Sequence, residues 1–144
     1  MTELSILPAS AADAAELARL NGLFNGATLT PAEQAEHLRA AASTERALLA
    51  WVDGRAVGFT CLRFARLITT AVPYAEVTEL FVEEAFRRRG IARALLAEAE
   101  ILARGLGAPG IILFTGLKNE TAQVFYRAVG YHDYAITMRK VFDN

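Results

Sequence analysis

The sequence predicts an α/β (α+β) fold, in which about four helices flank a mixed, mostly antiparallel central sheet. Three observations indicate it. Asp53-Gly54 stands between two apolar runs, which is typical of a two-residue hairpin turn. Apolar residues recur at helical spacing in four other segments. From Tyr74 onward, strand and helix patterns alternate along the chain.

Length and composition predict a single domain over residues 1–144. Hydrophobic residues make up 53% and charged residues 22%, which is typical of a globular protein with a real core. The formal net charge of -1 argues against a general nucleic-acid binder. No signal peptide and no membrane-length apolar run is recognisable. Cys61 is the sole cysteine, so no internal disulfide is possible and zinc-type spacing is absent. Together these features lead us to expect a cytoplasmic protein without a metal.

The first half is predicted to hold three strands and two helices. Ser10 stands at the N-cap position of the first helix. Thr30 and Glu33 form a capping box around Pro31, a strong helix start. In chain order, the predicted elements are a strand at 4–7, helices from 10 to about 24 and from 30 to about 42, and strands at 47–52 and 56–64.

The second half is predicted to alternate strand, helix, strand, helix and strand. The apolar run from Ile111 to Phe114 is typical of a central strand. Asn119 caps the last helix and Gly130 ends it. The predicted elements are a loop at 66–73, a strand at 74–82, a helix from 91 to near 105 or 107, a strand at 111–114, a helix from 119 to 130, and a strand at 131–142.

An arginine-rich turn connects the strand at 74–82 to the following helix. It reads Arg87-Arg88-Arg89-Gly90-Ile91-Ala92, with Arg93 next. The first amides of a helix lack backbone acceptors and carry partial positive charge, which suits a phosphate. The small side chains of Gly90 and Ala92 let a ligand approach the backbone. A charged, solvated helix start is the alternative, and the spacing alone leaves both open.

Three segments together resemble the GNAT N-acetyltransferase superfamily. They are Glu79-Leu80-Phe81-Val82, the turn at 87–92, and the stretch from Asn119 to Tyr131. The resemblance is specific from about Tyr74 to Tyr131, and the family's Arg/Gln-x-x-Gly-x-Gly/Ala motif is met at Arg87, Gly90 and Ala92. It implies a splay between the fourth and fifth strands, where acetyl-CoA enters as a co-substrate.

The resemblance also assigns roles to residues. The amides of residues 88–93 would hold the diphosphate, and the Leu80–Val82 backbone would pair with the pantetheine arm. Tyr126 matches the general acid, and Asn119 would both cap its helix and bond the pantetheine arm. The cofactor-binding residues predicted in this way are Leu80, Phe81, Val82, Arg87, Arg88, Arg89, Gly90, Ile91, Ala92, Arg93, Asn119 and Tyr126.

Two strand carboxylates, Glu76 and Glu79, are candidates for the base that takes the proton of the amine. Strand alternation puts them on opposite faces and gives Glu76 the parity of Leu80 and Val82. The resemblance favours Glu76 as the base and leaves Glu79 to bind the substrate. A bulge in this strand would reverse the assignment. A structural carboxylate paired with an arginine is the alternative for either residue.

The function that the resemblance implies is an acetyltransferase that moves an acetyl group from acetyl-CoA to a primary amine by direct attack in a ternary complex. The alternative is a catalytically silent acyl-CoA-binding regulatory module. The family's acceptor regions correspond here to residues 22–42 and 66–73, which carry few charges and name no substrate. We expect a small-molecule or peptide amine as the partner, no nucleic acid or membrane, and a homodimer as one oligomeric state to test.

Overall fold

The computed structural model describes residues 3–26 and 28–143. The chain divides into two compact units, Met1–Leu113 and Phe114–Asn144. None of the helices in the described ranges combines the length and apolar character needed to cross a membrane. The single domain expected over the whole chain stays a prediction.

Within the residues that the structure describes, the first unit contains one five-stranded sheet and three α-helices. The strands lie in the order in which they occur along the chain, β1-β2-β3-β4-β5. The first four pair antiparallel, and β4 pairs parallel with β5. The elements are β1 (Leu4–Pro8), α1 (Ala14–Asn25), α2 (Pro31–Ala40), β2 (Glu45–Val52), β3 (Arg55–Arg66), β4 (Pro73–Val82), α3 (Ile91–Gly105) and β5 (Ile112–Leu113). The predicted fold class is thereby confirmed.

Local signals position these elements as predicted. The Glu33 amide donates to the Thr30 hydroxyl at 3.1 Å and the Thr30 amide to the Glu33 carboxylate at 3.0 Å, which completes the capping box of α2. Asp53 and Gly54 have φ of 52° and 75°, as the hairpin turn between β2 and β3 requires. Ser10 caps a single 3₁₀ turn that leads into α1.

Both faces of the sheet are covered. Adjacent residues of β2, Leu48, Leu49 and Ala50, are all buried, although their side chains alternate between faces. Leu17 and Leu20 of α1 form a cluster with Leu49 and Phe59 on one face. The α3 helix contacts β1 to β4 and buries an apolar stripe, which covers the sheet with the side chains of Ile91, Leu95, Leu96, Ala99 and Ala103.

Two expectations about the strands of the second half are wrong. The run at 111–114 forms only the two-residue β5, which lies last in the sheet and is half-buried, so it is an edge strand and not a central one. Residues 131–142 contain no strand, and Ile136 and Met138 are 84% and 87% exposed. Alternation alone does not make a strand, because a strand is stabilised by cross-strand pairs.

Candidate active site

The ladder between β4 and β5 covers only two residue pairs, Glu76 with Ile112 and Val77 with Leu113. The β4 strand continues to Val82 beyond this ladder. The Glu83 amide donates to the Val57 carbonyl at 2.8 Å, so residue 83 faces β3. Because backbone groups alternate in direction along a strand, the N–H and C=O groups of Leu80 and Val82 point away from β3. This open edge is what the predicted splay requires.

The turn after β4 leaves consecutive amides free. The Arg87 amide donates to the Glu84 carbonyl at 3.2 Å, and the next backbone donor is Ala94, which donates to Gly90 at 3.0 Å. Between them, the described part of the chain offers the amides of residues 88–93 no acceptor. Arg88 and Gly90 have φ of 64° and 79°, and a Cβ at Gly90 would meet no atom within 4 Å. The turn therefore fits an anionic diphosphate.

The arginines of the turn have different surroundings. The Arg87 Nε donates to the Val82 carbonyl at 2.9 Å, and its guanidinium lies 5.7 Å from the centre of the Phe81 ring. The Arg89 guanidinium lies over the Phe86 ring at 5.2 Å. Arg87 therefore joins the turn to the end of β4. The exposed Arg88 and Arg89 place positive charge beside the free amides.

A β-bulge changes the faces of the two strand carboxylates. Glu79 lies opposite Cys61 and Val77 opposite Leu62, so Thr78 is the extra residue. Glu76 lies opposite Arg63, which shares a face with Cys61 because the two are two positions apart in the same strand. Glu76 and Glu79 are therefore on the same face. The prediction of opposite faces is wrong, because simple alternation does not hold across a bulge.

Glu76 is buried and engaged by its neighbours. Its Oε1 accepts hydrogen bonds from Arg63 Nη2 and from the Tyr74 hydroxyl, each at 2.8 Å. Burial, and then the neighbouring carboxylate, raise the pKa of Tyr74, so its hydroxyl remains a donor. These contacts match the arginine-paired structural carboxylate that the sequence left open as an alternative. The role of Glu76 as the base stays a prediction.

Glu79 lies in the wall of a pocket of about 340 Å³ between α1, α2 and the sheet. Burial raises the pKa of Glu79, as does the negative charge of Glu45, while a hydrogen bond from Asn25 opposes the shift. The pocket is also lined by Cys61, whose thiol pKa burial raises to about 12. A thiol with that pKa stays protonated at neutral pH, and a protonated thiol is a poor nucleophile.

The second unit contains α4 (Glu120–Ala128) and carries Asn119 and Tyr126. The Asn119 Oδ1 accepts from the Ala122 amide at 3.1 Å, which confirms the predicted cap. The Gly130 and Tyr131 amides close the helix by donating to carbonyls three and five residues back, with Gly130 at φ 103°. Tyr126 is half-buried, and burial raises the pKa of its hydroxyl. That hydroxyl therefore holds its proton at neutral pH.

Sequence reasoning missed several residues of the pocket. Glu45 comes from the start of β2, while Gln34 and His37 come from α2. No local pattern marks them, since the register of three strands and the packing of two helices bring them together. The sequence offered one indirect signal, the resemblance that assigned residues 22–42 to the acceptor region, whereas the burial of Gln34 is visible only in the structure.

Comparison with known proteins agrees with this geometry. The model of the acetyltransferase (GNAT) family matches residues 14–131. An uncharacterized N-acetyltransferase of Methanocaldococcus jannaschii is 34% identical over 85 residues, which are 57% of this chain and 37% of the relative. This chain therefore spans little more than a third of the length of that relative.

Solved structures share the fold at low sequence identity. An acetyltransferase of Trypanosoma brucei has a TM-score of 0.86 at 19% identity, over 97% of this chain and all of the other. An aminoglycoside N-acetyltransferase in complex with CoA has a TM-score of 0.82 at 19% identity, over 100% and 95% of the two chains. A ribosomal-protein-alanine N-acetyltransferase from Brucella melitensis has a TM-score of 0.80 at 21% identity, over 96% and 99%. With the family model matched over most of its length, the chain belongs to the acetyltransferase (GNAT) family.

Proposed function

We propose that this protein moves an acetyl group from acetyl-CoA to a primary amine by direct attack in a ternary complex. The observation that carries the proposal is the run of free amides at residues 88–93, next to the open edge of β4. Family membership supports the reaction class. One structural neighbour was solved with CoA, which supports the choice of donor.

The residues of the first unit would bind and orient the donor. When bound, acetyl-CoA supplies an activated acetyl thioester. The amides of residues 88–93 would hold its diphosphate, with help from the charge of Arg88 and Arg89. Leu80 and Val82 present backbone groups on the open edge of β4, where they can pair with the pantetheine arm. The Val82 N–H is the candidate donor to the thioester carbonyl oxygen, as in an oxyanion hole.

We assign to Tyr126 the donation of a proton to the departing CoA thiolate. A carboxylate of β4 accepts the proton that the attacking amine loses. Support for Tyr126 comes from the resemblance and from the raised pKa that keeps its hydroxyl protonated. For the base, the geometry favours Glu79 over Glu76, because Glu79 lines an open pocket while Glu76 is already bound by Arg63. Glu76→Gln and Glu79→Gln, compared by kcat at saturating amine, separate these two candidates, and the larger loss identifies the base.

Calorimetry with CoA tests the diphosphate site. Arg88→Glu and Arg89→Glu should each weaken CoA binding about tenfold or more, since each reverses a charge beside the anion. Arg104→Glu, at the other end of the same helix, makes the same charge change and serves as the control. Equal CoA affinity in all of these variants would contradict the site.

Release of the CoA thiol across a panel of amines tests the transfer itself. Tyr126→Phe should lower turnover by roughly 10²–10⁴-fold and leave CoA binding intact. Unchanged turnover would remove Tyr126 from the mechanism. CoA binding without thiol release for any amine would favour the catalytically silent module.

The oligomeric state and location stay predictions. Residues 131–143 form no helix or strand and expose Tyr134, Ile136, Met138, Val141 and Phe142, a surface that a second copy of the chain could cover. Light scattering coupled to size-exclusion chromatography tests the predicted homodimer. Cell fractionation tests the predicted cytoplasmic location.

A further inference from the structure

The pocket beside Glu79 has the size and lining of a small-molecule site. Its volume of about 340 Å³ lies at the lower end of the range for ligand pockets. Leu17, Leu38 and Phe59 form an apolar part of its wall, and the carboxylates of Glu45 and Glu79 belong to the polar part. Such a wall suits a compact ligand with a short aliphatic stem and cationic groups.

Neither carboxylate has a cationic partner in the part of the chain that the structure describes. The pocket includes Arg46, but its guanidinium donates to the carbonyl oxygens of Ala42 and Glu45 and lies 4.9 Å from the centre of the Phe64 ring. His37 also lines the pocket and forms no ion pair with any residue in the described ranges. Within the described residues, neither carboxylate is therefore bound in an ion pair, and each can accept a hydrogen bond from a ligand cation, although Arg46 adds one positive charge to the same wall.

The register of the sheet sets the spacing of the two carboxylates. Glu79 lies opposite Cys61, Cys61 lies opposite Ala47, and Glu45 precedes Ala47 by two residues on the same face. With strands about 4.8 Å apart and a rise of about 3.4 Å per residue, the Cα atoms of Glu45 and Glu79 are roughly 12 Å apart. Both residues line the pocket, and, after burial, the charges of both contribute to the raised pKa of the Cys61 thiol that lies between them, so two separate cationic groups can be met, one by each carboxylate.

Electrostatics favour filling the pocket with positive charge. Glu45 contributes to the raised pKa of Glu79, which shows that the two charges repel each other across the pocket. Half-buried carboxylates without a cationic partner are costly, and a ligand cation recovers part of that cost. A ligand with a single ammonium group would pair with only one of the two carboxylates.

We propose that the acceptor is a compact aliphatic diamine, with its reacting amine at Glu79 and its second, ammonium group at Glu45. This inference rests on the proposed function, because it places the acceptor of that reaction in this pocket. Glu45 is then a specificity-determining residue. The apolar wall between the two carboxylates accommodates the methylene chain.

Matched pairs of amines test the proposal. Butylamine is compared with 1,4-diaminobutane, and hexylamine with 1,6-diaminohexane, by CoA-thiol release and by calorimetry with and without saturating CoA. We expect at least one diamine to exceed its monoamine roughly tenfold in kcat/KM and in affinity, as a second charge contact allows. Glu45→Gln should bring that ratio close to one. Glu36→Gln removes the same charge from the exposed side of α2 and should leave the ratio unchanged.

The outcomes separate this inference from the proposed function. Equal use of monoamines and diamines by the wild-type protein overturns the inference and leaves the acetyltransferase proposal standing. A diamine preference that Glu45→Gln retains overturns the assignment of Glu45. Diamine binding that Glu45→Gln weakens, without thiol release, contradicts the proposed reaction and overturns the diamine as acceptor, and leaves only a diamine-binding site at Glu45. As a check that needs no variant, the diamine preference should shrink as ionic strength rises, because screening weakens charge contacts.

Discussion

Replacing Gly90 by alanine separates the stability of the arginine-rich turn from its ligand binding. Gly90 has φ of 79°, where a residue with a Cβ pays about 1–2 kcal/mol. A Cβ there would meet no atom within 4 Å, so the cost is backbone strain without a clash. Alanine also restricts the unfolded chain, which recovers roughly 0.4–1 kcal/mol. The net loss in the free energy of unfolding is therefore about 1 kcal/mol, or about 4 °C in Tm.

The free energy of CoA binding should fall by more than the free energy of unfolding. If the turn shifts to relieve the strain, or the new methyl group keeps a phosphate from the amides, one charge-assisted hydrogen bond is lost at a cost of about 1.5–3 kcal/mol. That corresponds to a loss of CoA affinity between about 10-fold and 150-fold.

Gly54→Ala is the matched control for Gly90→Ala. Gly54 has φ of 75° and open space around its missing Cβ, but it lies in the hairpin turn between β2 and β3. Thermal unfolding should show similar losses of stability for both variants, while calorimetry should show a loss of CoA affinity for Gly90→Ala alone. If both variants bind CoA equally well, the reasoning about free amides at this turn is refuted.

Three further predictions concern a cap, the core and pH. Thr30→Ala removes the hydroxyl that accepts the Glu33 amide and should lower the free energy of unfolding in urea by about 1 kcal/mol. Leu95→Ala, at a fully buried site on α3, should lower it by about 2–5 kcal/mol, whereas Ile101→Ala, at an exposed site on the same helix, should change it by about 0.5 kcal/mol or less. Burial raises the pKa of Glu79, so kcat/KM should fall as pH drops through this raised pKa and the carboxylate is protonated. Glu45→Gln removes a repelling charge and should move that limb to lower pH; an unmoved limb would contradict the coupling.

Local structure was predictable because its causes lie within a few residues. The hairpin at Asp53-Gly54 follows from two adjacent residues that tolerate positive φ, as both adopt here. The cap at Thr30 depends on Glu33, one turn away. The arginine-rich turn also needs only its own residues and the strand before it. Such interactions form between residues close in sequence and do not depend on how distant segments pack.

The carboxylates of β4 show where that reasoning ends. Glu76 and Glu79 share a face only because Thr78 is an extra residue in the ladder with β3, and a bulge depends on the partner strand. The ion pair between Glu76 and Arg63 depends on the same register. A one-residue change in pairing moves every later side chain to the other face. The faces of β4 therefore could not be read from its own residues.

By itself, the sequence determined the order and type of most elements, the caps and turns, and the motif at Arg87, Gly90 and Ala92, because each depends on neighbouring residues. Tertiary structure decided which carboxylate is engaged and which is open, how the pocket is lined, and that residues 131–142 form no strand. These features depend on strand register and on packing between distant segments. A single strand or helix carries no information about the partner that it meets.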